Sequence, residues 1–245
     1  MNYGDLLSEL RNNILRDRSS LVAGTSDQLW SDETLLNYIN QACFIMARRS
    51  MCLRDDSTPA ITQIKLKLGQ TEYPLDKRVL GVYSVRFDQD SFDLGRIGHF
   101  QLNTYMPPDT LWFDINVSAT LAPGRPQYVA TDESIETLRV YPAPDAKNVG
   151  KTLYMRVARL QKDTVSMDNL DAVPEFFEEY HMYLLEWAAY RAFSNHDADG
   201  GDSGEADRHK KNFEDYIFQV KEEVRRRAFA PMNFQFGRLG YAWIR

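Results

Sequence analysis

The 245-residue sequence has little cysteine: only Cys43 and Cys52 occur, and they lie nine positions apart. That spacing fits neither a CxxC pair nor half of a zinc site, so we expect two small buried thiols in a reducing compartment. A chain of this length buries a core without disulfides or metals. We therefore expect no cross-link, no metal and no cofactor.

Long apolar runs are also missing. No stretch approaches the roughly 20 apolar residues that a membrane-spanning helix needs. Residues 1–10 lack the basic and then apolar order of a signal peptide. We therefore expect the protein to be made and used without entering a membrane. The hydrophobic fraction of 43% and the charged fraction of 26% are those of an ordinary folded chain.

Basic residues are fewer than acidic ones. The chain carries 29 Lys and Arg against 35 Asp and Glu, a formal net charge of −6. Such a balance argues against a protein that neutralises many phosphates along a nucleic-acid groove, although a local basic patch is compatible with it.

Catalytic signatures are absent from the sequence. There is no HExxH, GxSxG or Walker A motif, and residues 95–98 (Gly-Arg-Ile-Gly) make only half of a dinucleotide fingerprint. The histidines lie far apart, at His99, His181, His196 and His209. We therefore predict that the protein is not an enzyme.

One run resembles a ligand site, the opening of a calcium loop at residues 195–200 (Asn-His-Asp-Ala-Asp-Gly). Its ending does not fit, because the twelfth position is Ala206 where a bidentate carboxylate is required, and Glu205 comes one place early. We interpret the run as a solvated loop with an Asp-Gly turn.

Hydrophobic periodicity predicts two helices at the start of the chain. The first carries apolar residues at helical spacing: Tyr3, Leu6, Leu7, Leu10 and Ile14. The second begins at Ser31, a good N-cap followed by two acids. Its predicted buried stripe is Leu35, Leu36, Ile39, Cys43 and Met46.

Short alternating runs broken by Gly and Pro follow, which predict strands at 61–68, 79–87, 111–117, 127–130, 136–141 and 151–159. Helix is predicted again from Pro174, at the first helical position. Phe213, Ile217, Val220 and Val224 predict a last amphipathic helix.

Neither pair of helices buries its apolar faces alone, so the two pairs are expected to form one bundle. The predicted fold is α+β: an α-helical bundle with an inserted antiparallel β domain and an extended C-terminal arm. The predicted segments are 1–58 and 172–228 for the bundle helices, 59–165 for the β-rich domain and 229–245 for a docking tail.

The C-terminal segment is aromatic and basic. Residues 221–245 hold six basic and two acidic residues, a net charge of +4. Residues 229–245 are too aromatic for a disordered tail and too short for a core of their own, so we expect them to dock on this subunit or on another. The charge of 221–245 favours an acidic or nucleic-acid-lined surface. The candidate docking residues are Arg225, Arg226, Arg227, Phe229, Phe234, Phe236, Arg238, Tyr241, Trp243 and Arg245.

Several motifs in order resemble the phage adaptor family that joins portal to tail in short-tailed phages and their relatives. They are residues 3–7 (Tyr-Gly-Asp-Leu-Leu), 29–33 (Leu-Trp-Ser-Asp-Glu) followed by 35–40 (Leu-Leu-Asn-Tyr-Ile-Asn), 70–75 (Gln-Thr-Glu-Tyr-Pro-Leu), 140–144 (Val-Tyr-Pro-Ala-Pro), and 174–175 (Pro-Glu) leading to 179–181 and 187–188. Each motif alone is unspecific, but together they span residues 3 to about 193.

The resemblance implies a structural virion protein, repeated as a dodecameric ring below the portal, with the C-terminal segment as an arm to the portal or to an adjacent subunit. The implied partners are further copies of the chain, the portal and a downstream tail or nozzle protein. DNA would pass through the lumen without specific binding, which the net negative charge suits. No catalytic residue is carried over.

Two other hypotheses remain open at this point. One is a tail-associated glycan-binding module that uses exposed aromatics such as Tyr105 and Trp112, although strand core is the commoner role for such residues. The other is a cell-wall hydrolase, which would need two carboxylates converging on one cleft.

Overall fold

The computed structural model describes residues 1–17, 29–97, 123–131, 136–195 and 203–228 of the chain. Helices occupy both ends of this described part and short strands lie between them. The helices are α1 (Tyr3–Glu9, continued as a π-helical turn over Leu10–Ile14), α2 (Asp32–Ser50), α3 (Pro59–Thr62), α4 (His181–Ser194) and α5 (Ser203–Ala228). The strands are β1 (Arg54–Asp55), β2 (Gln63–Lys65), β3 (Glu72–Pro74), β4 (Val79–Phe87), β5 (Gly95–Arg96), β6 (Tyr128–Ala130), β7 (Thr137–Tyr141) and β8 (Thr152–Arg159).

The start of α2 follows from its capping residue. The Ser31 hydroxyl accepts a hydrogen bond from the backbone N–H of Thr34 at 3.2 Å, which satisfies one of the free donors of the first turn. Asp32 and Glu33 lie in that turn, where negative charge is favoured. The predicted start is confirmed, and all five residues of the predicted stripe are buried.

One apolar core joins the helices from the two ends of the chain. Leu6 of α1, Leu36 of α2, Leu184 of α4 and Phe213 of α5 are all buried in the same cluster. Each helix has one apolar face only, so burying the four faces together is what holds the elements in place. The expected bundle of N- and C-terminal helices is confirmed.

Two sheets enclose a second core. In the first sheet β8 is central: it pairs with β4 on one side and with β1 and β2 on the other, and every pair is antiparallel. The second sheet has the order β3–β7–β6–β5, and within it the β5–β6 pair is parallel. Leu153 and Val157 from the first sheet and Leu138 and Val140 from the second share one buried cluster. The α+β class is confirmed, with this one parallel pair in an otherwise antiparallel set among the described strands.

The predicted helix start at Pro174 is wrong. The chain is still extended at Phe177 (φ −58°, ψ 142°), and helical turns begin with Glu178–Tyr180 before α4. The reason is tertiary, because the Glu175 carboxylate accepts hydrogen bonds from Arg159 and from the backbone N–H of Lys162. Those bonds hold Glu175 in a non-helical conformation.

The predicted strand at 61–68 is shorter than expected. The Thr58 carbonyl accepts the backbone N–H groups of Ile61 and Thr62, at 3.0 and 2.9 Å, so the first two residues close the turn α3 and only Gln63–Lys65 pair as a strand. Strands at 79–87, 127–130, 136–141 and 151–159 are confirmed to within a residue. The predicted strand at 111–117 lies outside the described residues.

Candidate interaction surfaces

Arg159 forms a buried ion pair between two strands of the first sheet and a second bond to the segment that precedes α4. Arg159, the last residue of β8, donates its Nε–H to Asp55 Oδ2 at 2.7 Å and an Nη2–H to Glu175 Oε2 at 2.5 Å. Arg159 and Asp55 are 6% and 5% exposed. Burial alone would raise the pKa of Asp55, but hydrogen bonds from Thr58, from the Ser57 backbone and from Arg159 outweigh it and lower that pKa well below its usual range. The bond to Glu175 therefore connects the first sheet to the segment that leads into α4.

The basic end of α5 is the described part of the predicted docking site. Arg227 lies 3.1 Å from the Glu179 carboxylate, and its guanidinium stands 4.9 Å from the ring centre of Phe177. Arg225 lies 3.7 Å from Glu222 on the same helix. Arg226 is exposed and forms no ion pair with any described residue. Arg227 is thus held by its own chain, and Arg226 is the member most available to a partner.

The other predicted docking residues lie outside the described residues. They are Phe229, Phe234, Phe236, Arg238, Tyr241, Trp243 and Arg245. Tyr105 and Trp112 of the glycan-binding hypothesis also lie outside the described residues, as do all but the first residue of the calcium-like run.

Sequence reasoning missed a basic and aromatic surface on the outer face of the first sheet. Register places Arg86 of β4 and Gln63 of β2 on either side of Tyr154 of β8, and places Ser84 opposite Arg156. Paired residues of antiparallel strands share a face. We name the exposed residues of this side the basic sheet face: Arg54, Lys65, Tyr83, Arg86, Tyr154 and Arg156.

The arginines of this face lie against its aromatic rings. The Arg54 guanidinium is 4.8 Å from the centre of the Tyr83 ring, and that of Arg86 is 5.8 Å from the centre of Tyr154. Two acids lie beside them. The Asp56 carboxylate is 3.7 Å from Arg156 with both groups exposed, a geometry of little energetic weight, and exposed Asp93 pairs with Arg86 in an isolated antiparallel bridge. The four cations leave the face positively charged. The available sequence signal was the alternation of the strands, which places Tyr154 with Arg156, and Ser84 with Arg86, on one side of the sheet.

A second missed surface has the opposite charge. Residues 163–173 follow β8, cover α1 and α2, and carry three exposed carboxylates, those of Asp163, Asp168 and Asp171. None of the three forms an ion pair with a described residue. We name residues 163–173 the acidic segment. Its backbone is fixed, since Leu170 and Ala172 accept the N–H groups of Gly4 and Tyr3, both at 3.0 Å.

The acidic segment also borders an open groove and exposes apolar side chains. Tyr3, Asp163, Val165 and Val173 line that groove, and Val173 and Met167 are 60% and 40% exposed. An anchored backbone with exposed carboxylates beside exposed apolar groups has the mixed character of a protein–protein contact.

The two described histidines have structural partners. His181 is buried and its Nε2 lies 3.1 Å from the Phe176 carbonyl, while His209 Nδ1 lies 2.7 Å from Glu186 and its ring stacks on Phe193. Within the described ranges no group of His, Cys, Asp or Glu side chains is arranged to hold a metal ion. None of the helices in those ranges is long and apolar enough to cross a membrane.

A helical bundle connected to two packed sheets, with charged surfaces on both parts, defines an α+β protein. The chain belongs to the SU10 adaptor protein family, whose model matches residues 1–235. The match includes both charged surfaces and part of the C-terminal tail. A comparison with curated proteins finds no match. Membership gives the chain a structural adaptor role in phage, and it confirms the family expected from the sequence motifs.

Proposed function

We propose that this chain forms a homo-oligomeric ring, a dodecamer, that joins the portal to the tail and surrounds the path of the DNA. Its place is the virion, it assembles in the host cytoplasm, and it performs no catalysis. The observation that carries the proposal is the match of the adaptor family to residues 1–235, nearly the whole chain. A match of that extent includes the surfaces as well as the core.

The junction at Arg159 supports the same role. A connector has to transmit position between two bodies, and a bundle that swung freely on its β part would not do so. The buried pair with Asp55 and the second bond to Glu175 tie β8 to the segment that leads into α4. Net negative charge supports free passage of DNA, because it limits attraction to phosphates.

We further propose that the portal contact is made by the end of α5 and the tail that follows, residues 225–245. Arg226 supports this, since it projects from the helix end without a partner among the described residues. Arg227, held by Glu179 and Phe177, would then fix the direction in which the chain leaves the bundle.

The test is electron microscopy and analytical ultracentrifugation of the purified protein, alone and mixed with its portal. The full chain is compared with a truncation ending at Ala228 and with an Arg226→Glu variant. We expect rings stacked coaxially on the portal for the full chain, and loss of portal binding for the truncation. A full chain that stays monomeric with portal present would overturn the proposal.

A further inference from the structure

We propose that the basic sheet face of one subunit docks on the acidic segment of a second copy of this chain. The inference rests on the proposed ring, and it names the two surfaces that meet between neighbouring subunits. A cyclic ring needs heterologous contacts, in which one surface of each subunit meets a different surface of the next. The basic sheet face and the acidic segment are two such surfaces.

Charge is distributed in a way that favours this pairing. Residues 163–179, the acidic segment and the turn after it, contain six acids and no Lys or Arg. Three of the six are paired within the chain: Glu175 with Arg159, Glu178 with the N-terminus and Glu179 with Arg227. The three carboxylates of the acidic segment form no ion pair with a described residue, so they are the ones available to a partner. A positive surface of the same protein is their natural complement.

The two surfaces lie beside different helices. Arg54 of the basic sheet face reaches α5, where an Nη2–H donates to the Val224 carbonyl at 3.4 Å. The acidic segment instead lies over α1 and α2, where the Asn40 amide donates to the Val165 carbonyl at 2.8 Å. Surfaces placed beside different helices can both be engaged at once, one with each neighbour.

Each surface offers apolar area as well as charge. Tyr83 and Tyr154 of the basic sheet face are 42% and 36% exposed, and Met167 and Val173 of the acidic segment are 40% and 60% exposed. Aromatic and Arg side chains are enriched among the residues that dominate protein–protein binding. Tyrosine rings already covered on one side by arginine present a flat, polarisable surface to methionine and valine.

Nucleic acid is the other polyanion that could meet a basic, aromatic face. The observations favour a protein partner, because Asp56 lies within the face and would repel phosphate. The chain as a whole is also negative, and nucleic-acid interfaces are much more positive than those between proteins.

The experiment is a charge swap in the full chain. Sedimentation velocity measures subunit association of each variant, alone and mixed with the purified portal. One variant is Arg86→Glu with Arg156→Glu. The second is Asp163→Lys, Asp168→Lys and Asp171→Lys, and a third combines all five changes. The control reverses three exposed acids elsewhere, Glu136, Asp207 and Asp215, to Lys, which matches the charge change of the second variant. Circular dichroism checks that every variant folds.

We expect the first and second variants to weaken subunit association about tenfold or more, in a salt-dependent way. The combined variant should regain association because the signs are exchanged on both surfaces, and the control should assemble like the unaltered chain. Association that persists in the first two variants would overturn the inference and leave the ring intact. Failure of the combined variant to recover would also overturn it.

Two further outcomes separate the inference from its alternatives. If the unaltered chain forms no ring with or without portal, the proposed function and this inference fall together. If Arg86→Glu with Arg156→Glu abolishes binding to a duplex DNA fragment while rings still form, the face serves nucleic acid and the inference is overturned.

Discussion

Arg159 and Asp55 form a buried ion pair, 2.7 Å apart, at the point where the last strand of the first sheet enters the bundle. Both groups are almost fully buried. Each makes further hydrogen bonds: Asp55 accepts from Ser57 and Thr58, and Arg159 donates to Glu175. A buried pair with complete hydrogen bonding specifies one geometry, because any displacement leaves a charge unpaired in a medium of low polarity.

Replacing Arg159 with Ala should therefore lower the free energy of unfolding by about 3 kcal/mol, since the buried Asp55 carboxylate keeps only the more distant Lys162 Nζ, at 4.0 Å, as an ionic partner. Arg156→Ala, three positions earlier on the same strand, removes an exposed pair and should cost less than about 1 kcal/mol. Urea denaturation of the two variants measures the difference. Equal losses would show that the Arg159 pair carries no special weight.

The same pair predicts a pH dependence. The pKa of Asp55 is lower in the folded protein than its ordinary value, so the unfolded chain binds the proton more readily. Its contribution to stability is therefore fully present above the ordinary carboxyl pKa of about 3.9 and is lost as the pH falls toward the folded value. Asp55→Asn should reduce the loss of stability between about pH 5 and pH 2. Asp56→Asn, an exposed neighbour, should leave that loss unchanged. Chemical denaturation as a function of pH tests both.

The bundle was predictable because its signals are local. Ser31 and the apolar stripe from Leu35 to Met46 specify a helix from neighbouring residues alone. The false helix start at Pro174 shows the limit of such signals. Glu175 accepts a hydrogen bond from Arg159, which is sixteen residues away in sequence. The sequence around Pro174 contains no pattern from which that partner could be predicted.

The interaction surfaces were less predictable than the core. The three carboxylates of the acidic segment are visible in the sequence, but their exposure depends on how 163–173 is pinned to α1. The basic sheet face depends on register: only the pairing of Arg86 with Tyr154 and of Ser84 with Arg156 places these residues together. Strand register is set by turns and by the buried face, and single-strand patterns do not give it.

An aromatic stack joins the last two helices. The rings of Tyr183 on α4 and Tyr216 on α5 are nearly parallel, 3.9 Å apart at their centres. Tyr216→Ala should lower the free energy of unfolding by about 1–3 kcal/mol, from the lost stack and the lost burial. Phe218→Ala removes an aromatic that is 66% exposed on the same helix, and it should change stability by less than about 0.5 kcal/mol. Thermal unfolding of the two variants separates them, and equal shifts would contradict the role of the stack.

The cap of α2 predicts a local effect. Ser31→Ala removes the acceptor of the Thr34 N–H and should destabilise the protein by about 1 kcal/mol. Ser166 also precedes a helical turn, but its side chain makes no capping hydrogen bond. Ser166→Ala should therefore be close to neutral. If calorimetry finds the same change for both serines, the hydroxyl of Ser31 is not the source of the effect.

Two glycines separate backbone strain from steric crowding. Gly150, just before β8, has a left-handed backbone with φ +80°, whereas the φ of Gly81 in β4 lies outside the left-handed region. A Cβ built on either glycine would meet no atom within 4 Å. A difference between Gly150→Ala and Gly81→Ala must then come from the backbone. Left-handed geometry costs an L-residue about 1–2 kcal/mol, while alanine at a compatible site restricts the unfolded chain and stabilises by about 0.4–1 kcal/mol. Gly150→Ala should therefore lower the midpoint of urea unfolding, and Gly81→Ala should leave it unchanged or raise it. Equal loss at both positions would contradict the assignment of the effect to the left-handed backbone angle of Gly150.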